Sequence, residues 1–306
     1  MSLHNQFIRK ATLTIGNSSE KLDLSALQFS FQIKQADIEN YQAASIRVYN
    51  VDQKTTGAQI KQNEYSRVKL QAGYEQGNYG VIFDGEVIQM KWGRESNVST
   101  YLDILAGEGY SANQAVVNTT LAAGSDALDA AAAAAQTTGK AIKSYNYNPA
   151  AKLPRGQVLY GMSRDVLHTA AATAGFSYFY NGDKIVFVPL ESAIPGNPTL
   201  MNASTGMIGW PEQTQEGIRV KCLLNPLLDV ASQIKIDNAS IQLAPASASY
   251  TFIQGLLPPK DYDGLYRIIL IEHHGDTRGN DWYSDIVCVS VNNDTGLSSL
   301  FMKGQA

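Results

Sequence analysis

Glu272-His273-His274-Gly275-Asp276 puts two imidazoles and two carboxylates within five residues, the groups that bind a transition metal or move protons. Such chemistry requires the side chains to converge. The segment ends an apolar run that reads as a strand, where neighbours point to opposite faces, so His273 and His274 cannot share one metal. HExxH spacing is absent, and the cluster is read as a strand end entering a polar loop. Asp84 and Glu86 flank Gly85, but two carboxylates on one strand supply no glycosidase cleft. His168 falls on an apolar-rich helix and is read as packed or partly exposed, while His4 lies in the N-terminal tail. Cys222 and Cys288 sit in apolar strand-like runs and are read as small core residues; two cysteines cannot build a disulfide framework or a Cys-based zinc site. Neither GxSxG, a Walker loop nor a dinucleotide glycine fingerprint occurs, and Gly77–Gly80 reads as a hairpin turn. The reading is therefore no catalytic residue, no metal, no cofactor and no enzyme.

Composition narrows the remaining classes. The chain has 306 residues, room for two domains or three small ones, and a formal charge of −4 that leaves no strongly basic nucleic-acid face. Charged residues make up 17%, against about 25% in ordinary soluble domains, so the surface is polar and neutral and suits large partner interfaces. No apolar run reaches about 18 residues, and Met1–Thr14 lacks an apolar signal core; neither a membrane anchor nor a signal peptide is expected.

Stepping along the chain, Leu27, Phe29, Phe31 and Ile33 alternate as in a half-buried strand. Similar patterns follow around 46–49, 67–72, 80–92 and 100–106, predicting a compact antiparallel β domain over 1–112. Residues 113–200 form an α+β unit. In it, Ser125 or Asp126 caps an alanine-rich helix ending near Gly139, Ser163 caps a second that stops at Gly175, and Asn181-Gly182 turns a hairpin. Strands return over 201–306 at 218–224, 233–236, 264–274 and 282–291, with an irregular excursion at 237–263 around Pro245 and Pro258-Pro259 and a loose C-terminal tail.

The two β segments repeat each other. Ile46-Arg47-Val48 recurs as Ile218-Arg219-Val220, and Val68-Lys69-Leu70 as Ile234-Lys235-Ile236. Trp92-Gly93 precedes Thr100-Tyr101-Leu102-Asp103-Ile104 as His274-Gly275 precedes Trp282-Tyr283-Ser284-Asp285-Ile286, at equal spacing. Ordered matches at preserved spacing indicate a duplicated β domain with the α+β unit inserted between copies.

Gly206-Met207-Ile208-Gly209-Trp210-Pro211, Gly217-Ile218-Arg219-Val220, Leu223-Leu224-Asn225-Pro226 and His274-Gly275-Asp276-Thr277-Arg278-Gly279, in this duplicated setting, resemble the baseplate hub proteins of contractile-tailed phages. The hub part of the VgrG spike in type VI secretion is similar. The resemblance implies a mainly β fold with two tail-tube-like antiparallel barrels separated by an α+β domain. It implies a homotrimeric adaptor joining a sixfold tail tube to a threefold spike, because two near-equivalent sites per subunit let three copies meet six. Expected partners are the tail tube protein, the central spike protein and other baseplate components. The expected place is the virion tail baseplate, assembled in the bacterial host cytoplasm.

A different class stays open. Sixteen tyrosines and three tryptophans also suit a tail-associated carbohydrate-binding or cell-wall-degrading β protein, which needs exposed aromatics and paired carboxylates in a pocket. On the hub reading, the loops 93–99 and 275–281 occupy equivalent positions. Arg94, Glu95 and Asn97 in the first, and Asp276, Arg278 and Asp281 in the second, are candidates for tube or subunit contact; as plain solvated turns they carry no function.

Overall fold

A computed structural model describes residues 6–17, 19–37, 42–52, 57, 60, 65–147, 152–190, 192–214, 216–243, 260 and 264–291. His4, Pro245, Pro258-Pro259 and the C-terminal tail lie outside them. The chain is mainly β. Among the described residues fourteen strands form one branching sheet, and a two-stranded and a three-stranded sheet accompany the helices of the middle segment. Among the described residues no strand pairing closes either half into a barrel.

In the first half, β3 (Phe29–Ala36), β4 (Gln42–Tyr49), β7 (Thr100–Glu108), β6 (Tyr79–Arg94) and β5 (Arg67–Tyr74) lie side by side in that order. In the second half the order is β14 (Met207–Thr214), β15 (Gly217–Leu223), β19 (Trp282–Ser290), β18 (Leu265–Asp276) and β16 (Gln233–Ile236). The two series run through the chain identically, so Tyr101 and Tyr283 occupy equivalent strands. Bulges fall at matching places as well. The irregularity between Val87 and Gln89 faces Ala106 and Leu105, and that between Ile268 and Leu270 faces Cys288 and Val287.

Register corrects parts of the sequence alignment. The β5 and β16 matches hold: Lys69 faces Asp84 and Lys235 faces Leu265, while Val87 and Ile268 donate to the carbonyls of Ser66 and Ser232. On β15, however, the partner of Asp285 is Lys221, as the partner of Asp103 is Arg47, so Arg47 corresponds to Lys221 rather than Arg219. Both cations sit over the tyrosine two residues before that aspartate, Arg47 at 4.0 Å from the Tyr101 ring centre and Lys221 at 3.5 Å from that of Tyr283. Likewise Gly93 faces Tyr101 where His274 faces Tyr283, so Gly93 matches His274, not Gly275. Short motifs of alternating residues slide by one or two places without losing their pattern, which is why the sequence alone misplaced them.

The halves join edge to edge. Residues 270–276 of β18 pair antiparallel with β3, from Leu270 opposite Ala36 to Asp276 opposite Ser30. Apolar residues on one face of the strands form two cores, one containing Phe29, Ile33, Ile46, Leu70 and Leu102, the other Val220, Ile234, Tyr266, Ile271 and Ile286. Leu224 and Trp282 of the second half sit in the first core, so the two share a boundary.

The middle segment packs α2 (Ala127–Thr138) and α3 (Ser163–Ala174), which follow a short α1 (Tyr110–Gln114), on β8 (Val116–Leu121), β10 (Gln157–Met162), β11 (Phe176–Asn181) and β12 (Lys184–Pro189). Ala130, Ala131, Ala134, Leu167, Ala170 and Ala171 are buried between them, and small side chains allow the helices to approach closely. Asp126 caps α2 through a capping box with Asp129, and Gly139 ends it at φ 69°. Ser163 is not the cap of α3 but its first helical residue: β10 runs directly into the helix, leaving Met162 at the cap position without a side-chain bond. The hairpin turn is Gly182-Asp183 rather than Asn181-Gly182, because Asn181 pairs with Lys184 and Gly182 alone takes positive φ, 59°.

Three segments meet at Arg267, 1% exposed. Its guanidinium pairs with Asp37 of the first half, donates to Ser177 Oγ (2.8 Å) and reaches the carbonyls of Pro189, Leu190 and Ser192 at the end of the middle segment.

Candidate interface surfaces

Pairing directions fix where the proposed contact residues lie. β18 is antiparallel to β3, and successive antiparallel steps through β4 and β7 leave β6 parallel to β18, so the β6–β7 and β18–β19 hairpins emerge at the same end of the sheet. Arg94 is the last residue of β6 and Glu95 and Asn97 follow in the turn, all exposed; Asp276 ends β18, with Arg278 and Asp281 in the next turn. Gly93, Arg94, Gly275 and Asp276 are strand residues, so both turns are shorter than the loops 93–99 and 275–281 expected from sequence. Each hairpin gathers its own three residues. The two groups stay apart, because β3, β4 and β7 lie between, about 19 Å of sheet at ordinary strand spacing.

The hairpins differ in support. Asp276 Oδ1 accepts from the backbone N–H groups of Arg278 and Gly279, both at 2.8 Å, and shapes the second turn. Arg9 donates to the carbonyls of Gly279 (2.7 Å) and Asn280 (2.9 Å), and Thr277 exchanges bonds with the Phe29 backbone. The first turn is held by Ser96 Oγ accepting from Ser99 (3.1 Å) and by Glu95 N–H donating to the Ser99 carbonyl (2.9 Å). Thus the second hairpin is clamped by the neighbouring half, while the described residues give the first only its own bonds.

One face of the joined sheet is polar. Arg47 makes a two-pronged ion pair with Asp103 (2.7 and 3.0 Å), which holds the guanidinium above its ordinary range. His274 lies 3.6 Å from Glu272 and 3.7 Å from Asp285, and its ring centre is 5.0 Å from that of Tyr283. Ser30, Gln32, Lys91 and Asp276 join Arg47 and Asp103 around a shallow concavity of about 580 Å³ across the joint. Sequence reasoning used Arg47 and Asp103 only as members of the repeated motifs and named none of Arg47, Lys91 and Asp103 as a contact residue, although charged residues alternating with apolar ones on those strands carried the signal.

The supposed chemical clusters resolve into structural bonds. His273 points into the interior, opposite to His274; its Nδ1 lies 2.7 Å from Ser284 Oγ, and burial pulls its pKa down to about 4. Asp84 pairs with Arg67 at 2.7 Å, and Glu86 accepts from the Ser111 hydroxyl (2.6 Å) and backbone N–H (2.7 Å), so the two carboxylates serve separate anchors. Cys222 and Cys288 are buried free thiols, with burial raising Cys222 to about 12 and Cys288 further. His168 is exposed. No group of three or more metal-ligating side chains occurs among the described residues.

Comparison with known proteins places this geometry. A family model described as "Baseplate hub gp41" matches residues 8–253. The 43 kDa tail protein of prophage MuSo2 from Shewanella oneidensis has a similar structure, with TM-score 0.59 at 7% identity, over 92% of this chain and 98% of that one. A tail protein from Neisseria meningitidis MC58 gives 0.56 at 10% identity, over 92% and 96%. The E. coli c3393 protein, a type VI secretion component described as similar to the T4 tail proteins gp27 and gp5, gives 0.57 at 11% identity, over 90% and 76%. At such identities the structures share the fold. No curated protein matches this sequence.

Proposed function

The chain belongs to the baseplate hub gp41 family, and from that premise we propose that it is the trimeric, non-enzymatic hub of a contractile tail, joining the sixfold tube to the threefold spike. The observation that carries the reading is the in-line repetition of one strand order, 3-4-7-6-5 and 14-15-19-18-16, within a single chain. Three such chains offer six near-equivalent units, and each unit, folding as a tube-like barrel over 1–112 or 201–306, stands in for one subunit of a tube ring. The middle segment, 113–200, braces the two. The partners are two further copies of the chain, the tube protein, the spike and neighbouring baseplate proteins. The product resides in the virion tail after assembly in the host cytoplasm. Transmission of force during contraction needs shape complementarity and stiffness, with no bond made or broken.

Native mass spectrometry of the hub released from assembled tails is expected to give three copies; two or four would overturn the proposal. Arg94, Glu95, Asn97, Asp276, Arg278 and Asp281 contact the tube in this reading, since both hairpins project from one end of the sheet. Reversing Arg94→Glu and Arg278→Glu together changes exposed positions, which shifts stability by only about 0.5 kcal/mol. At a docked interface like charge costs several kcal/mol. Complete tails are therefore expected to fall at least tenfold while the hub stays folded; normal tail yield with this variant would remove the hairpins from the tube contact.

A further inference from the structure

The joint between the two halves occurs only once, yet the chain carries the surfaces for a second. On β18, residues 265–267 pair with β16 and residues 270–276 with β3 of the other half. On β6, the equivalent strand, Tyr79–Glu86 pair with β5, and no described strand pairs with that side of Ile88–Arg94. At the far end of the sheet β14, the equivalent of β3, carries among the described residues only β17 (Gln242–Leu243), bridged to Glu212 and Gln213. A head-to-tail contact uses two unlike surfaces, so a row of such contacts ends with one of each unfilled, and those two are complementary.

We propose that the Ile88–Arg94 edge of one copy takes β14 of a second copy as an added antiparallel strand, exchanging the two-residue β17 for it. This rests on the hub reading above and names the contact between subunits. Transferring the β3–β18 register gives the partners: Glu272 opposite Lys34 becomes Lys91 opposite Thr214, and His274 opposite Gln32 becomes Gly93 opposite Glu212. Lys91 and Glu212 are then diagonal neighbours on one face, within reach of long side chains and opposite in charge. The exposed Ile208 (40%) and Trp210 (62%), in the irregular stretch of β14 before Glu212, come to lie beside Arg94, where the indole can receive the guanidinium.

The test is a full-length chain carrying Lys91→Cys and Thr214→Cys, mildly oxidised at tens of micromolar and in assembled tails. Directly opposed strand residues are within disulfide range. Seven strand steps separate the two cysteines within one chain, so a bond between them links copies. Closed covalent rings are expected, with at least tenfold less linkage in a Val81→Cys, Thr214→Cys control on the β5-paired part of β6. On unaltered protein, amide exchange across 88–94 should slow at least tenfold upon assembly, while that of 242–243 quickens. Three copies assembling without the specific cross-link or the protection would overturn the strand pairing and leave the hub reading standing. No assembly in either setting would overturn both.

Discussion

Replacing Arg267 by Met is expected to destabilise the fold by about 3–5 kcal/mol, the usual cost of stranding the partner of a buried ion pair. Asp37 would keep a charge with no counterpart, and the carbonyls of Leu190 and Ser192 would lose their donor in a region closed to water. Against a typical total of about 5–15 kcal/mol the loss is large. Asp37→Leu alone should cost a similar amount by leaving the guanidinium uncompensated. The double variant, Arg267→Met with Asp37→Leu, should cost less than either single change, because apolar groups of similar volume replace a buried pair at little net cost. Urea unfolding followed by circular dichroism measures all three. A single variant within about 1 kcal/mol of the parent, or costs that simply add, would show that the pair does not hold the segments together.

The position of Arg267 also bears on how the middle segment is tied between the two strand series. Register makes Arg267 on β18 the counterpart of Glu86 on β6. Glu86 grips Ser111, where the chain leaves the first half, and Arg267 grips the carbonyls of Pro189, Leu190 and Ser192, where it returns to the second. Equivalent positions with opposite charge thus hold the two ends of the middle segment.

That arrangement was only partly legible beforehand. Alternation of apolar residues marked the strands, because the sheet buries one face and wets the other, and Asp126, Gly139 and Gly175 marked helix ends through local backbone requirements. The repeated strand order is legible from the strands around Tyr101 and Tyr283. Its register is not: the bulges at Ile88 and Ile269 are common to both halves, but five residues lie between the paired Arg94 and Thr100 and six between the paired Gly275 and Trp282, and that extra turn residue is what separates Gly93 from Gly275. Ile208, Trp210 and Asn225 belong to motifs visible in the sequence, but the place of the first two on a strand near the end of the described sheet, and of Asn225 against Asn78, 147 positions away, depends on long-range contacts beyond what spacing encodes. Arg267 passed as one residue of an apolar strand, since a buried charge has no sequence signature apart from its distant partner.

Two buried titrating groups should act against each other as pH changes, and removing one is expected to expose the other. Glu108, at the end of β7, accepts the Gly182 N–H of the middle hairpin, yet burial pushes its pKa up to about 7. From its ordinary 4.5 up to 7 the folded chain holds a proton that the unfolded chain has released, so stability from this group is complete below 4.5 and is lost as pH rises through 7. The total is about 3 kcal/mol. His273 runs the other way: its folded pKa near 4 lies below the ordinary 6.5, so its contribution is complete above 6.5 and is lost as pH falls through 4, again about 3 kcal/mol. The opposing slopes overlap between 4.5 and 6.5 and flatten the parent's profile there. Glu108→Gln keeps an acceptor for Gly182 but cannot ionise, so it should match the parent near pH 4 and exceed it by up to about 3 kcal/mol at pH 7.5, with stability rising between pH 4 and 6.5. His273→Gln should show the mirror image, stability falling from pH 4.5 to 7, whatever its absolute value. Urea midpoints at half-unit pH steps and constant ionic strength separate these shapes. A Glu108→Gln curve parallel to the parent's would mean that the carboxyl is already ionised at the junction, and that the first half and the middle hairpin are held together by a charge rather than by a proton.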